Sequence, residues 1–293
     1  MDTVQNFSKF NNNLRMDNDV VDTIKMRFER ILKRINIEYR GIDSGKLYGM
    51  YVGSYGRGTE IWTSDIDIIV QLPYKIYVQY NNYIGNGQSA LIQNVKNTLQ
   101  KTYPNSHIRG DGQVVVINFG DSITFEIVPA FINKDGKSFT YPDTNNGGSW
   151  KVTKPILEIE SMNIRNDFTN KNLKKLCRMM RAWKSENNVP ISGMLIDTLV
   201  YHFLTNYEYS SKSYVYFDRI SRDFFKYLKE LDINKEYWYA PGSHEKVYKS
   251  KDFHYKATSA YNRSLEAISC QGRSHWISAN LKWREIYGKK FSI

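Results

Sequence analysis

The fold of this chain is decided by Tyr51-Val52-Gly53-Ser54-Tyr55-Gly56-Arg57-Gly58-Thr59 and by the run Thr63-Ser64-Asp65-Ile66-Asp67-Ile68-Ile69-Val70 that follows it. Side chains alternate across a strand, so Asp65 and Asp67 share one face while Ile66, Ile68 and Val70 point to the other. A lone Asp-x-Asp is commonly a solvated edge. Here the second Asp runs straight into three branched apolar residues, which puts the pair at the mouth of a buried strand. Two neighbouring carboxylates repel, and a hard divalent cation such as Mg²⁺ relieves that repulsion. The Gly53-Ser54 turn lets backbone N–H groups approach an anion, and Gly56 and Gly58 keep the loop open. A phosphate cradle beside a metal-binding carboxylate pair is equipment for phosphoryl or nucleotidyl transfer.

Two ions acting together need a further carboxylate, because the attacking and leaving oxygens lie across a gap of about 3.5–4 Å. The strand Ser122-Ile123-Thr124-Phe125-Glu126-Ile127-Val128-Pro129 offers Glu126, an acid in otherwise apolar surroundings. A hairpin from Gln113–Asn118 through Phe119–Ser122 would lay Glu126 beside Asp65 and Asp67. The competing reading pairs Glu126 with a nearby Lys or Arg. Asp111 and Asp121 read as turn residues and are set aside.

Taken together, these residues resemble the DNA polymerase β-like nucleotidyltransferase superfamily. More closely, Gly53–Thr59 and Ser64–Ile68 are similar to the bacterial CD-NTases, the cyclic GMP–AMP synthase-like and DncV-like (SMODS-type) enzymes of anti-phage CBASS systems. Tyr141-Pro142-Asp143 with Gly148-Ser149-Trp150 resembles that family's loop leaving the catalytic lobe. Trp283–Phe291 resembles its closing motif. Many members carry Asp as the third carboxylate, where Glu126 is longer by one methylene.

The resemblance implies an α+β fold: a mixed-sheet catalytic lobe with an N-terminal bracing helix over 1–150, and a mostly helical lobe over 151–293 closing the nucleotide cleft. It implies an enzyme joining NTPs into a cyclic or linear oligonucleotide second messenger with release of pyrophosphate. Its catalytic and metal residues would be Asp65, Asp67 and Glu126, holding two Mg²⁺ ions, with Mn²⁺ as the alternative. Its partners would be NTP substrates and a downstream effector that recognises the product, with no obligatory nucleic acid and the chain acting as a monomer. Two other readings stand beside it: a template-independent RNA terminal nucleotidyltransferase, and a non-catalytic nucleotide or nucleic-acid sensor. Three intact carboxylates and the Gly-Ser loop argue against the sensor.

The same resemblance draws Gly53 and Ser54 into nucleotide binding, together with the helix Leu173–Lys184. There Arg178 and Arg181 lie one turn apart beside an apolar stripe of Leu173, Leu176, Met180 and Trp183. Such a pair suits clamping a triphosphate, and it also suits surface ion pairing. Ser192 opens the next helix, either as a further phosphate contact or as an ordinary N-cap. The aromatic segment Trp238–Val247 can stack a base or pack as a turn, and Tyr55 and Thr59 are candidates to close over the nucleotide.

Composition agrees with a folded enzyme. The 293 residues are 41% hydrophobic, with 22 Tyr, 14 Phe and 6 Trp, which excludes a disordered chain. The formal charge of +11 suits polyanionic ligands without separating nucleotide from nucleic acid. Two cysteines and five scattered histidines give neither a disulfide framework nor a zinc cluster. No apolar run reaches membrane-spanning length and the N-terminus lacks a signal pattern, so the expectation is a cytoplasmic protein without a membrane partner.

Periodicity predicts a long amphipathic helix capped at Asp17 or Asn18 and ending near Gly41, its basic residues forming a solvated face. It further predicts a helix near 86–101 and helices over about 171–187, 192–207, 217–231, 257–271 and 275–287. The stretch 133–153, rich in Gly, Asn, Asp and Pro, reads as a connection between lobes.

Overall fold

The structure is a computed structural model that describes residues 2–62 and 65–292. Thr63 and Ser64, quoted above as part of the Asp-Ile-Asp run, lie outside the described residues. In chain order the α-helices and strands are α1 (Thr3–Asn13), α2 (Asn18–Arg40), β1 (Gly49–Tyr51), α3 (Gly53–Arg57), β2 (Asp65–Gln71), α4 (Tyr74–Asn81) and α5 (Gly87–Gln100). Then come β3 (His107–Asp111), β4 (Val114–Asn118), β5 (Thr124–Ile132), β6 (Phe139–Asp143), β7 (Ser149–Thr153) and α6 (Pro155–Phe168). The remainder is α7 (Asn172–Asn187), α8 (Gly193–Thr205), α9 (Phe217–Glu230), β8 (Tyr237–Tyr239), β9 (Lys246–Tyr248), α10 (His254–Gly272) and α11 (Trp276–Tyr287).

The chain divides into two compact units. One comprises Asp17–Gly56 and Thr63–Leu157, the other Met1–Met16, Arg57–Trp62 and Glu158–Ile293. The first unit is built on a mixed seven-stranded sheet in which β1, β2, β5, β4 and β3 are neighbours in that order. Among the described residues only β2 and β5 run parallel; every other pair in this sheet is antiparallel. β5 is long enough to serve two regions. Its first half lies between β2 and β4, and its end, Phe131-Ile132, pairs with β6.

Helix α2 presents Ile24, Ile31, Leu32 and Ile35 to the core and ends at Gly41, whose φ of +68° supplies the left-handed cap. Asp17 takes the N-cap position without a side-chain capping bond. The stretch 133–153 is more ordered than its composition suggests. Phe139–Asp143 and Ser149–Thr153 pair as a hairpin that extends the sheet, and the Gly and Asn residues lie in the turns on either side of Phe139–Asp143: Asn133 and Gly136 before it, and Asn145 to Gly148 after it, where Asn146, Gly147 and Gly148 have positive φ. Turn composition there masks two short strands.

The second unit is mostly helical, and the helices expected over 171–287 are present as α7 to α11. Its core is strongly aromatic. Phe7 on α1 meets Trp283 at 5.1 Å and Phe291 at 5.2 Å between ring centroids, and Phe10 meets Tyr287 at 4.9 Å. The closing Trp-to-Phe motif is thus the packing partner of the first helix. A mixed sheet and a mostly helical remainder are the α+β arrangement the resemblance implies. Among the described residues no helix is long and apolar enough to cross a membrane.

Candidate active site

In β2, Ile66, Ile68 and Val70 are fully buried, while Asp65 is exposed and Asp67 half-buried on the opposite face. The β2–β5 register sets Asp65 opposite Thr124 and Asp67 opposite Glu126. The β4–β5 hairpin expected from the sequence delivers Glu126 to that place, with Val116 as its other neighbour. Burial raises the Glu126 carboxyl above its ordinary value; Asp67, Asp65 and Asp111 push the same way, and Arg109 opposes them. A Lys or Arg partner is therefore not what defines this acid. Asp121 is held by Arg27 through two hydrogen bonds of 3.0 and 2.5 Å, so its carboxylate is committed to an ion pair. Asp111 ends β3 beside Arg109.

The segment read as an open loop after Val52 instead winds into one helical turn, α3, with Gly53 at φ +59° and Gly58 at φ +66°. Any side chain at Gly53 would force the turn or the Asp67 carboxylate to shift. A Cβ on the glycine would lie 1.9 Å from Asp67 Oδ2, so the missing side chain is what lets the turn sit against the carboxylate. Tyr55 packs on Tyr51, 4.8 Å between centroids.

The three carboxylates offer only hard oxygen donors, and their mutual repulsion is the kind a divalent cation relieves, so the residues fit a Mg²⁺-type ion in chemistry. Among the described residues, however, no three acidic, His or Cys side chains already converge on one metal-sized point. Backbone register, not a closed ligand cage, brings them together.

The two arginines of α7 have separate environments. Arg178 donates from Nη1 to the Gly58 carbonyl at 2.8 Å, and its buried Nε has no hydrogen-bond partner. Lys174 and Lys175 lie near it, and burial together with the Arg178 charge holds both ammonium groups below their ordinary pKa. Glu60 is the nearby acid, its carboxyl raised by burial, with Oε2 buried and unpartnered. Arg181 is 8% exposed and is gripped by Asp197, through Nη1 at 2.5 Å and Nη2 at 2.9 Å, and it also donates to the Gly193 carbonyl. Arg181 is therefore not the surface residue that one reading allowed; its guanidinium is already filled from within. Ser192 caps α8 by accepting from Leu195 N at 3.1 Å.

Sequence reasoning missed Lys174, Lys175, Glu60 and Asp197. For Asp197 the signal was present: a single carboxylate within Met194-Leu195-Ile196-Asp197-Thr198-Leu199, where an acid needs a buried partner. For the others, a lysine pair on an amphipathic helix looks like any solvated face.

Comparisons with known proteins follow the same lines. The model of the Second Messenger Oligonucleotide or Dinucleotide Synthetase domain, SMODS, matches residues 1–166. A probable cyclic nucleotide synthase of Bacillus cereus (strain VD146) is 26% identical over 176 residues, covering 57% of this chain and 51% of the relative, so the match spans about half of that protein's length. Among solved structures, CdnC of Escherichia coli MS115-1 with ATP superposes with a TM-score of 0.69 at 13% identity, covering 100% of this chain and 99% of that one. CdnC in complex with HORMA-deltaN gives 0.70 at 13%, covering 99% and 98%. A variant of the Vibrio cholerae di-nucleotide cyclase DncV gives 0.66 at 13%, covering 99% and 87%. At these identities the structural matches speak for the fold, which is that of the polymerase β-like nucleotidyltransferases, and with more than half of its length matched by the family model, this chain belongs to the SMODS family.

Proposed function

We propose that the protein is a nucleotidyltransferase that joins NTPs into a cyclic or linear oligonucleotide second messenger, in a defence system of the CBASS type. The observation that carries this reading is the set of Asp65, Asp67 and Glu126 on adjacent parallel strands, with Gly53 packed against the Asp67 carboxylate. Family membership supports it.

In the proposed reaction a ribose hydroxyl oxygen bonds to the α-phosphorus of an NTP. The bond from that phosphorus to the bridging oxygen breaks, pyrophosphate leaves, and the hydroxyl proton is released. Asp65 and Asp67 would hold two Mg²⁺ ions, or Mn²⁺, and Glu126 would share one of them. When bound, these ions would neutralise the phosphates and favour the ionised hydroxyl. The protein's own part is positioning. The Gly53-Ser54 turn would present backbone N–H groups to a phosphate beside the Asp67 carboxylate.

The unit containing the sheet would carry the chemistry, and the helical unit would hold the donor triphosphate. Arg178, with Lys174 and Lys175 beside it, is the better candidate for that contact, since Arg181 is already bound by Asp197. Ser192 would act there through the helix end that it caps.

Incubating the full chain with each labelled NTP and Mg²⁺, with and without RNA, tests the reading. The expected result is RNA-independent product and pyrophosphate. Nucleotides added only to an RNA end would support a terminal nucleotidyltransferase instead, and binding without turnover would support a sensor.

A further inference from the structure

Three consecutive residues just downstream of the Gly53 turn are each tied down. Arg57 donates from Nε to Asp197 Oδ2 at 3.0 Å and pairs with Glu158 at 3.4 Å. The Gly58 carbonyl accepts from Arg178 at 2.8 Å. The Thr59 hydroxyl donates to Asp197 Oδ2 at 2.8 Å. Asp197 is wholly buried and takes both Arg57 and Arg181, while Glu158 is held on its other oxygen by Ser243 at 3.0 Å. Burying so many charges stabilises a fold less than apolar side chains of the same volume would. Such a cluster makes more sense as a device that fixes geometry, and the geometry it fixes is that of residues 57–59.

We propose that Asp197 is a positioning residue: through Arg57 and Thr59 it sets the downstream end of the Gly53–Thr59 segment, with Arg181 as its counter-ion and not a contact to the triphosphate. Ser243 and Glu158 form the outer layer of the same network, which gives the Trp238–Val247 segment a supporting role. The consequence for catalysis rests on the nucleotidyltransferase reading above; the consequence for backbone order does not.

The test uses the full chain and two measurements. Hydrogen exchange of the amides of residues 53–60 is compared among wild type, Asp197→Asn, Thr59→Val and Arg181→Lys. NTP turnover is measured in parallel. Asp197→Asn and Thr59→Val should speed exchange over 53–60 by at least about tenfold, while amides in the cores of α7 and α8 change far less. They should lower kcat by at least about tenfold with KM for NTP within about threefold, since a misplaced segment harms orientation more than capture. Arg181→Lys, which keeps the counter-charge, should retain most of the protection. Exchange over 53–60 that is unchanged, or that rises equally throughout the helical unit, overturns the proposal. So does Arg181→Lys with full protection but selective loss of ATP binding over AMP binding. Should Asp197→Asn fail to fold, Thr59→Val decides, because it removes one hydroxyl and no charge. A wild-type chain that makes no product defeats the functional reading alone, and the exchange arm still judges Asp197.

Discussion

Gly53 and Asp67 occupy what would be the same space: a side-chain carbon on the glycine would stand 1.9 Å from Asp67 Oδ2. The contact, together with the Val52 N–H donated to the Asp67 carbonyl at 2.9 Å, couples the Gly53 turn to the carboxylate strand. Gly53→Ala should therefore do more than strain a backbone at φ +59°. It should move the turn or the carboxylate by close to an ångström, and a displacement of that size costs about a hundredfold in rate. Product formation by Gly53→Ala within a few-fold of wild type would show that the two do not act together.

The carboxylates should be separable from their neighbours by function. Asp65→Ala with Asp67→Ala should abolish turnover while the fold survives, because the change removes a repulsive pair and no core packing. Glu126→Ala should also be inactive, and Glu126→Asp should keep part of the activity. Asp121→Ala should remain active, since that acid serves Arg27. In thermal melts, Mg²⁺ should raise the melting temperature of wild type and not of the Asp65/Asp67 double variant. An inactive Asp121→Ala beside an active Glu126→Ala would reverse the assignment of the third ligand.

Arg178 and Arg181 should fail in different ways. A lost charged hydrogen bond is worth about 1.5–3 kcal/mol, so Arg178→Ala should weaken ATP binding about tenfold and AMP binding much less. Arg181→Ala leaves Asp197 buried with a partner missing, and breaking a buried pair in this way costs about 3–5 kcal/mol of stability. Titrating both nucleotides against both variants, with melts alongside, checks this. Equal loss of ATP and AMP in Arg178→Ala would remove it from the triphosphate.

Acid should weaken the wild type through Asp197. Burial works against its charge, yet the guanidinium groups of Arg181 and Arg57 outweigh burial and hold the carboxyl below its ordinary value. A carboxyl lowered in the folded state lends stability above its unfolded pKa, and that stability is lost as pH falls from about 5 toward the folded value. Glu158 is raised by burial, so its contribution has the opposite sign and fades as pH rises. Denaturant melts from pH 7 downward should show a shallower acid decline in Asp197→Asn than in wild type. Parallel declines would mean that the Asp197 charge is not what acid removes.

Most helices were legible because their apolar spacing is strong: Leu173, Leu176, Met180 and Trp183 mark α7, and all four are buried. The strands β2 and β5 were legible for the same reason, through Ile66–Val70 and Phe125–Val128. Local composition misled where turn residues crowd short strands, as in β6 and β7. It was silent on α1 and α6, whose apolar faces are defined by partners far along the chain; Phe7 makes sense only against Trp283 and Phe291.

The sequence by itself determined the chemistry on offer. An Asp-x-Asp at the head of a buried strand, a glycine turn before it and an acid inside an apolar strand are local patterns, and strand alternation alone puts each on its face. Which acid stands beside the pair was decided by tertiary structure, because register sets Glu126 opposite Asp67 while Arg27 holds Asp121 in an ion pair. The fate of the two α7 arginines was decided there too. Helical spacing makes Arg178 and Arg181 look equivalent, but Asp197, from another helix, claims only Arg181. A charge is defined by what surrounds it after folding, and no periodicity within one helix encodes a partner supplied by the next.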